Sequence, residues 1–453
     1  MTGLDFKNKK VLVLGWAKSG KAATKRLLEL GAHVTVANRD AIEEDDEVKA
    51  LKQEGVAFID NDKGEALAAD TDVLVKNPGI AYTHPIIEKA MSLGLPVLTE
   101  VAVALSTFTG RLIIVTGSNG KTTTTTLLGH MLQHDDKQGR VVIAGNIGTP
   151  VCQVVGDMTA KDTLVLELSS FQLVGIPHIA ADIAVITNVF ANHLDFHQNR
   201  ENYLAAKERV ALGQKAGQTL ILNGNGPDTP AIAKLTAGTV LTFNPDDEKA
   251  YAHEDAEGNV VLNGKILMPF EDVKLVGRPN LENVLAATAA ANVAGCDFDA
   301  MKAVLTTFAG VKHRLEFLFK EDGVIYYNDS KATDIEATQA ALSAFKQDVI
   351  LLAGGLDRGD DLDRLVPDLK NVIQVIAFGE TTDKVVAMAK EANVPVQVVK
   401  NVEKAAPVAV QMAKPGQVVL LSPAAASWDQ YPNFEIRGDK YVAALKQALG
   451  KKD

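Results

Sequence analysis

Leu112-Ile113-Ile114-Val115-Thr116-Gly117-Ser118-Asn119-Gly120-Lys121-Thr122-Thr123 passes from an apolar run through a Gly-rich turn into a Lys-Thr pair. A short apolar run bounded by Gly-Ser-Asn-Gly reads as a buried strand, and Thr122 to Leu132 as the helix after it. Strand, Gly-rich turn, Lys-Thr and helix is the build of a phosphate loop, in which backbone N–H groups and the helix N-terminus cradle phosphate oxygens. In that reading Gly117, Ser118, Asn119, Gly120, Lys121, Thr122 and Thr123 line a nucleoside triphosphate. Lys121 reaches the β/γ-phosphates and the Thr122 hydroxyl holds Mg²⁺. The common pattern has a Gly five residues before Gly120, where this chain has Val115. Alone, this variant loop points only to ATP or GTP with Mg²⁺. Its helix opens with five successive Thr, poor helix formers whose β-branch restricts χ1, so packing must hold it.

Upstream, Lys10 to Gly15 reads as a buried strand, Ser19 to Leu30 as a helix and His33 to Ala37 as a second strand, a Rossmann-type opening. Its turn, Gly15-Trp16-Ala17-Lys18-Ser19-Gly20, has Ala17 where a dinucleotide fingerprint has its middle Gly. A Cβ there hinders a pyrophosphate, which argues against NAD. Strands also fit at 72–76 and 96–98, then at 112–116, 140–144, 163–168 and 182–187. Shorter strands and turns fill 219–270, an Ala-rich buried helix runs from Pro279 to Ala294, and strands fit again at 323–327, 348–352, 372–377 and 417–421. The expected fold class is α/β, built on parallel sheets, with polar residues gathered at the carboxyl edges of the strands.

Composition narrows the partners. The chain has 453 residues, room for roughly two to four domains. A net charge of −11 argues against a nucleic-acid partner or an anionic membrane, while an anionic small substrate needs only local positive charge. Cys152 and Cys296 are too few for a disulfide framework. Met1 to Lys10 lacks the apolar core of a signal peptide, and no apolar run approaches the roughly 20 residues of a membrane span. The expectation is a cytoplasmic protein.

Glu167 closes the apolar strand Thr163-Leu164-Val165-Leu166. A carboxylate there is destabilising unless it is paired or binds metal, so it reads as a Mg²⁺ ligand beside the triphosphate. His193, in Asn192-His193-Leu194-Asp195 after the next strand, is a second candidate ligand, with Asp195 to orient it. Lys207 lies on a helix, in Tyr203-Leu204-Ala205-Ala206-Lys207-Glu208-Arg209-Val210, and spacing alone makes it a solvated lysine. Asn328-Asp329-Ser330-Lys331-Ala332-Thr333-Asp334 crowds acid, base, hydroxyl and amide groups just past a strand, and His313-Arg314 upstream offers positive charge for a phosphate. The runs Gly354 to Asp360 and Leu421 to Gln430 read as site loops or as plain turns.

Thr116 to Thr122, Glu167-Leu168-Ser169-Ser170, Asn192 to Asp195, His313-Arg314 and Asn328 to Thr333 occur in the order, and over nearly the whole length, found in the Mur ligase family, which the chain therefore resembles. The first motif alone is shared with folylpolyglutamate ligases. Asp429-Gln430-Tyr431-Pro432-Asn433-Phe434-Glu435-Ile436-Arg437-Gly438 is most similar to the members that add D-glutamate. The resemblance implies a three-domain Mur ligase architecture. Residues 1–106 would be a Rossmann-like UDP-sugar-binding domain, 107–310 a phosphate-loop ATPase and 311–453 a Rossmann-like amino-acid-binding domain.

By the same resemblance the protein would be an ATP-dependent amide ligase of cytoplasmic peptidoglycan precursor synthesis, and a monomer is expected. Its substrates would be ATP, D-glutamate and UDP-N-acetylmuramoyl-L-alanine, joined through an acyl phosphate with two Mg²⁺ ions. It implies Lys121, Asn146, His193, Lys207 and Lys331 as catalytic residues. Thr122, Glu167, His193 and a carbamylated Lys207 would form the metal set. Asn280, Asn283, Arg314 and Asp329 would join the phosphate loop around ATP, and Lys331, Thr333, Arg358, Ser427 and Phe434 would hold D-glutamate. Lys18, Ser19, Asn38, Arg39, Asn77, Pro78 and Gly79 would meet the UDP-sugar. Arg358 stands where some relatives have Lys. A sister ligase adding L-lysine or diaminopimelate would show Asp-Asn-Pro-Arg where this chain has Asp357-Arg358-Gly359-Asp360. A nucleotide-binding switch would not need the further site residues.

Overall fold

The computed structural model describes residues 3–190, 193–275 and 278–451, with Asp195, Arg278 and Pro279 described by backbone alone. Among these the main strands form three sheets, confirming the α/β class. The first contains β1 (Lys10–Leu14), β2 (His33–Ala37), β3 (Ala57–Ile59), β4 (Val73–Lys76) and β5 (Val97–Leu98), in the order β3-β2-β1-β4-β5. All its pairs are parallel. The second contains β6 (Arg111–Thr116), β7 (Val141–Gly145), β8 (Thr163–Glu167), β9 (Ile183–Ile186), β10 (Thr219–Asn223), β11 (Thr239–Phe243), β12 (Ala252–Glu254), β13 (Asn259–Leu262) and β14 (Lys265–Pro269). Its order is β14-β13-β12-β11-β10-β9-β6-β8-β7. The run from β7 to β12 is parallel, and β13 and β14 close it as antiparallel strands.

The third sheet contains β15 (Glu316–Glu321), β16 (Val324–Asn328), β17 (Val349–Ala353), β18 (Val372–Ala377), β19 (Val396–Val398) and β20 (Val418–Leu421), in the order β15-β16-β20-β17-β18-β19. Only β15 runs antiparallel to its neighbour. Residues 1–272 and 282–304 make one compact unit, which holds the first two sheets; 273–281 and 305–453 make another, which holds the third.

The parallel strands are apolar along their length because helices cover both faces. In β6, Leu112, Ile113, Ile114 and Val115 are all buried, as are Leu164, Val165 and Leu166 in β8. The helix Lys121–His134 carries Thr122 to Thr125 buried beside Leu127, Leu128, Met131 and Leu132, so packing does hold the threonine run. The helix Arg278–Val293 buries Leu281, Val284, Leu285 and the alanines at 286, 287 and 289–291. No helix among the described residues is long and apolar enough to cross a membrane.

Candidate active site

The turn after β6 sits at the carboxyl edge of the second sheet, with β8 and β9 on either side. Two of its glycines are sterically required. Gly117 has φ +146° and Gly120 φ +79°, and a Cβ would fall on the Thr187 hydroxyl in the first and on the Asn283 side chain in the second. Neighbouring strand ends fix the loop. Ser118 N donates to Asn188 O at 2.9 Å, Asn119 N to Asn188 Oδ1 at 2.8 Å, and Thr187 Oγ1 to Asn119 O at 2.6 Å. The Lys121 ammonium folds back onto Ser118 O at 2.7 Å. Thr122 and Thr123 are buried at the start of the helix. Asn283 joins the loop, accepting from Thr124 Oγ1 at 3.4 Å. Asn280, one turn earlier on the same helix, falls in the other unit.

Glu167 lies one strand away and is 1% exposed. One carboxylate oxygen accepts from Asn146 Nδ2 at 2.8 Å. Oε2 is buried with no hydrogen-bond partner among the described residues. A buried carboxylate oxygen left open calls for a cation or a donor that arrives with substrate. With the buried Thr122 hydroxyl it offers hard oxygen ligands. Among the described residues no group of three His, Cys, Asp or Glu gathers.

Spacing made Lys207 a solvated lysine, and the structure corrects this: it is 1% exposed. Helix Arg200–Leu212 packs this face against the phosphate loop. Its Nζ donates to Gly117 O at 2.6 Å and stands 4.5 Å from the Tyr203 ring centroid. Burial, and then repulsion from Lys121, pull its pKa well below the usual lysine value against the attraction of Glu167. Tyr203 went unnoticed in the sequence. It sits one helical turn before Lys207, on the same face, and its hydroxyl meets Ser118 Oγ at 2.9 Å.

His193 is exposed, with φ +54°, and its ring centroid is 4.9 Å from that of Phe171, which follows Glu167 by four residues. Phe171 also packs on Phe196 and His197. Asn192 of this motif and the Asp195 side chain lie outside the described residues.

The residues expected to meet the UDP-sugar follow β1, β2 and β4, at the carboxyl edge of the first sheet. Asn38 Oδ1 accepts from Trp16 N at 3.0 Å, and Ser19 Oγ donates to Asn77 Oδ1 at 2.8 Å. Lys18, Arg39 and Gly79 are exposed, and Pro78 is half-buried. Lys76, absent from the sequence-based set, is 1% exposed and donates to Pro78 O and Ile80 O, both at 2.9 Å. Desolvation lowers its pKa to about 8.

The second unit gathers its polar residues where β16, β20 and β17 end side by side. Asp329 is buried, accepting from Leu315 N at 2.9 Å and Ser422 Oγ at 2.8 Å, and desolvation pushes its pKa up to about 7. Arg314 Nε is buried with no partner among the described residues, as is Ser427 Oγ. Lys331 Nζ lies 5.4 Å from the Phe434 ring centroid and the Arg358 guanidinium 4.8 Å from that of Trp428. Thr333 is half-buried beside Ala332.

The Arg437 side chain, wholly buried, ties these loops together. It donates to Ser330 Oγ at 3.1 Å, Ser330 O at 2.8 Å, Ala425 O at 3.0 Å and Gly354 O at 3.4 Å. Burial lowers its pKa to about 10.

Comparison with known proteins agrees with this geometry. Residues 115–291 match the Mur ligase middle domain and 313–425 the Mur ligase, glutamate ligase domain. The chain is 56% identical to the UDP-N-acetylmuramoylalanine–D-glutamate ligase of Leuconostoc citreum, covering 98% of this chain and 99% of that one. It is 55% identical to the enzyme of that name from Leuconostoc mesenteroides subsp. mesenteroides, over 99% of this chain and 100% of that one. In fold it is similar to the crystal structure of UDP-N-acetylmuramate-alanine ligase from Thermotoga maritima, with TM-score 0.62 at 18% identity, covering 97% of this chain and 99% of that one. With relatives this similar over its whole length, the chain belongs to the Mur ligase family.

Proposed function

We propose that the protein is the ATP-dependent ligase that joins D-glutamate to UDP-N-acetylmuramoyl-L-alanine in peptidoglycan precursor synthesis. The observation that carries this reading is the 56% identity with a D-glutamate ligase across 98% of the chain. As a Mur ligase it uses ATP and Mg²⁺. The reading takes it as a cytoplasmic monomer with the domains 1–106, 107–310 and 311–453.

A carboxylate is a poor electrophile, so ATP first phosphorylates the L-alanyl carboxylate to an acyl phosphate. The D-glutamate amine attacks it, and phosphate leaves from the tetrahedral intermediate. In this reading the N–H groups of Gly117 to Thr123 hold the phosphates. Lys121 swings from Ser118 O to the β/γ-phosphates, and Asn283, Asn280, Arg314 and Asp329 complete the nucleotide site. Asn146, already bonded to Glu167, lies beside the transferred group. Lys331, Thr333, Arg358, Ser427 and Phe434 take the amino acid, and Lys18, Ser19, Asn38, Arg39 and Asn77 to Gly79 the UDP-sugar.

Thr122, Glu167, His193 and Lys207 would hold two Mg²⁺ ions, which when bound neutralise charge on the transferring phosphoryl group. We assign Lys207 as the carbamylated residue. Its depressed pKa favours the neutral amine, whose nitrogen bonds the carbon of CO₂ with loss of one proton. The carbamate exchanges a cation for oxygen donors next to Glu167.

ADP release tests the reading. ADP should form only when UDP-N-acetylmuramoyl-L-alanine and D-glutamate are both present. Equal turnover with L-lysine and the UDP-linked dipeptide would assign the chain to the sister reaction.

A further inference from the structure

Trp428 is 64% exposed, the most exposed of the large apolar side chains among the described residues. An indole left in water needs a reason, and the guanidinium of Arg358 lies over it, 4.8 Å from the ring centroid. The sequence around Arg358 is acidic, yet two of its carboxylates, Asp357 and Asp361, are engaged elsewhere. Asp357 pairs with Lys384 Nζ at 2.6 Å and accepts from Gly359 N at 2.8 Å, and Asp361 accepts from Asp363 N at 3.2 Å. Arg358 itself makes no hydrogen bond or ion pair among the described residues. A carboxylate partner would hold the arginine but cancel its charge. An aromatic face holds it by the ring quadrupole and leaves every N–H of the guanidinium fork open.

The pair belongs to one built place. Arg358 follows β17 and Trp428 follows β20, adjacent parallel strands. Their loops are stitched by Leu356 N donating to Ala426 O at 2.8 Å. Ser427, between Ala426 and Trp428, buries a hydroxyl with no partner. An unneutralised guanidinium and an unsatisfied hydroxyl on two joined loops are what a carboxylate ligand would complete.

We propose that Trp428 is a positioning residue for substrate binding: its indole holds the Arg358 guanidinium in the orientation that receives a carboxylate of the incoming amino acid. The proposal rests on the D-glutamate reading above. Trp428 does not touch the reacting atoms, so its removal weakens capture of the amino acid and leaves the chemical step alone. Phenylalanine keeps part of the stacking face and leucine keeps none.

The test is steady-state ADP release by the full chain with ATP, UDP-N-acetylmuramoyl-L-alanine and varied D-glutamate, for wild type, W428L, W428F, R358A and W428L/R358A. The expected result is a roughly fivefold rise in the D-glutamate KM for W428L and a smaller rise for W428F. The KM values for ATP and the UDP-sugar should stay unchanged, and kcat within about twofold. In the R358A background the second change should add nothing, since it acts through the arginine. Both side chains are exposed, and equal melting temperatures will verify that the variants fold. A D-glutamate KM unchanged in W428L, or raised equally with and without Arg358, overturns this proposal while leaving the D-glutamate reading in place. A wild-type chain that turns over with L-lysine and not D-glutamate overturns both.

Discussion

The carboxyl edges of the second and third sheets handle charge in opposite ways. At the second, Glu167 and Lys207 are each 1% exposed, and Lys121 is folded onto its own loop. At the third, Lys331 and Arg358 rest on aromatic faces, while the deeply buried Arg437 serves the scaffold. On the proposed assignment of the two places, the contrast follows from what each would bind. A triphosphate with metal brings several charges, and fixed groups in a dry site need no reorganisation when charge moves. A small amino acid would have to enter and leave, and the Arg358 guanidinium, parked on a ring with no ion pair among the described residues, would meet it without breaking one.

The strongest test of the buried side is Lys207→Ala. Ligase activity should fall by about 10³-fold, the order expected for losing a group that stabilises the transferring charge. Added short-chain carboxylates, which replace the oxygens of a carbamate, should restore part of it. Full activity would remove Lys207 from the site, and loss without rescue would remove the carbamate.

The scaffold of the open side is tested by Arg437→Met. The change strands buried acceptors on Ser330, Ala425 and Gly354, and the second unit should lose about 3 kcal/mol. Urea unfolding followed by a probe in that unit reads this directly. A loss under about 1 kcal/mol would mean that the three loops are held without the arginine.

These two residues mark how far the sequence could be read. The parallel strands announce themselves by short apolar runs, and the loop from Gly117 to Thr122 by local spacing, because strand, turn and helix are contiguous in the chain. Glu167 was legible for the same reason: a carboxylate ends an apolar strand. Lys207 was not, because a helix reading Leu-Ala-Ala-Lys-Glu-Arg looks solvated until it is known to pack on a loop 90 residues away. The Arg437 contacts join segments as far as 107 residues apart, and no local pattern carries them. Trp428 lies within the run from Leu421 to Gln430, but only the fold brings it to Arg358. The edge strands β3 and β19 are three residues each, too short to show alternation.

A more moderate effect separates metal binding from packing at the buried edge. Glu167→Gln keeps the size and the contact with Asn146 but removes the negative charge from the open oxygen. The Mg²⁺ concentration for half-maximal activity should rise by about thirtyfold with melting temperature nearly unchanged, since Mg²⁺ is held through few carboxylates. An unchanged Mg²⁺ titration would make Glu167 a packing residue and erase much of the contrast between the two edges.

The smallest expected effect is a change of slope. Asp329 has a folded pKa of about 7 against an ordinary 3.8, raised mainly by desolvation. Between these values the folded chain holds a proton that the unfolded chain releases, so this group's contribution is full below about pH 4 and is lost as pH rises to about 7. In Asp329→Asn the side chain no longer titrates and can still meet Leu315 N and Ser422 Oγ. The stability difference between variant and wild type should therefore move in the variant's favour by about 1.4 kcal/mol from pH 5 to pH 6 and level off above 7. Urea unfolding across that range measures it. A difference that stays flat would mean that Asp329 is ionised in the folded protein, and the third sheet would then bury a carboxylate at its edge in addition to the Arg437 cation.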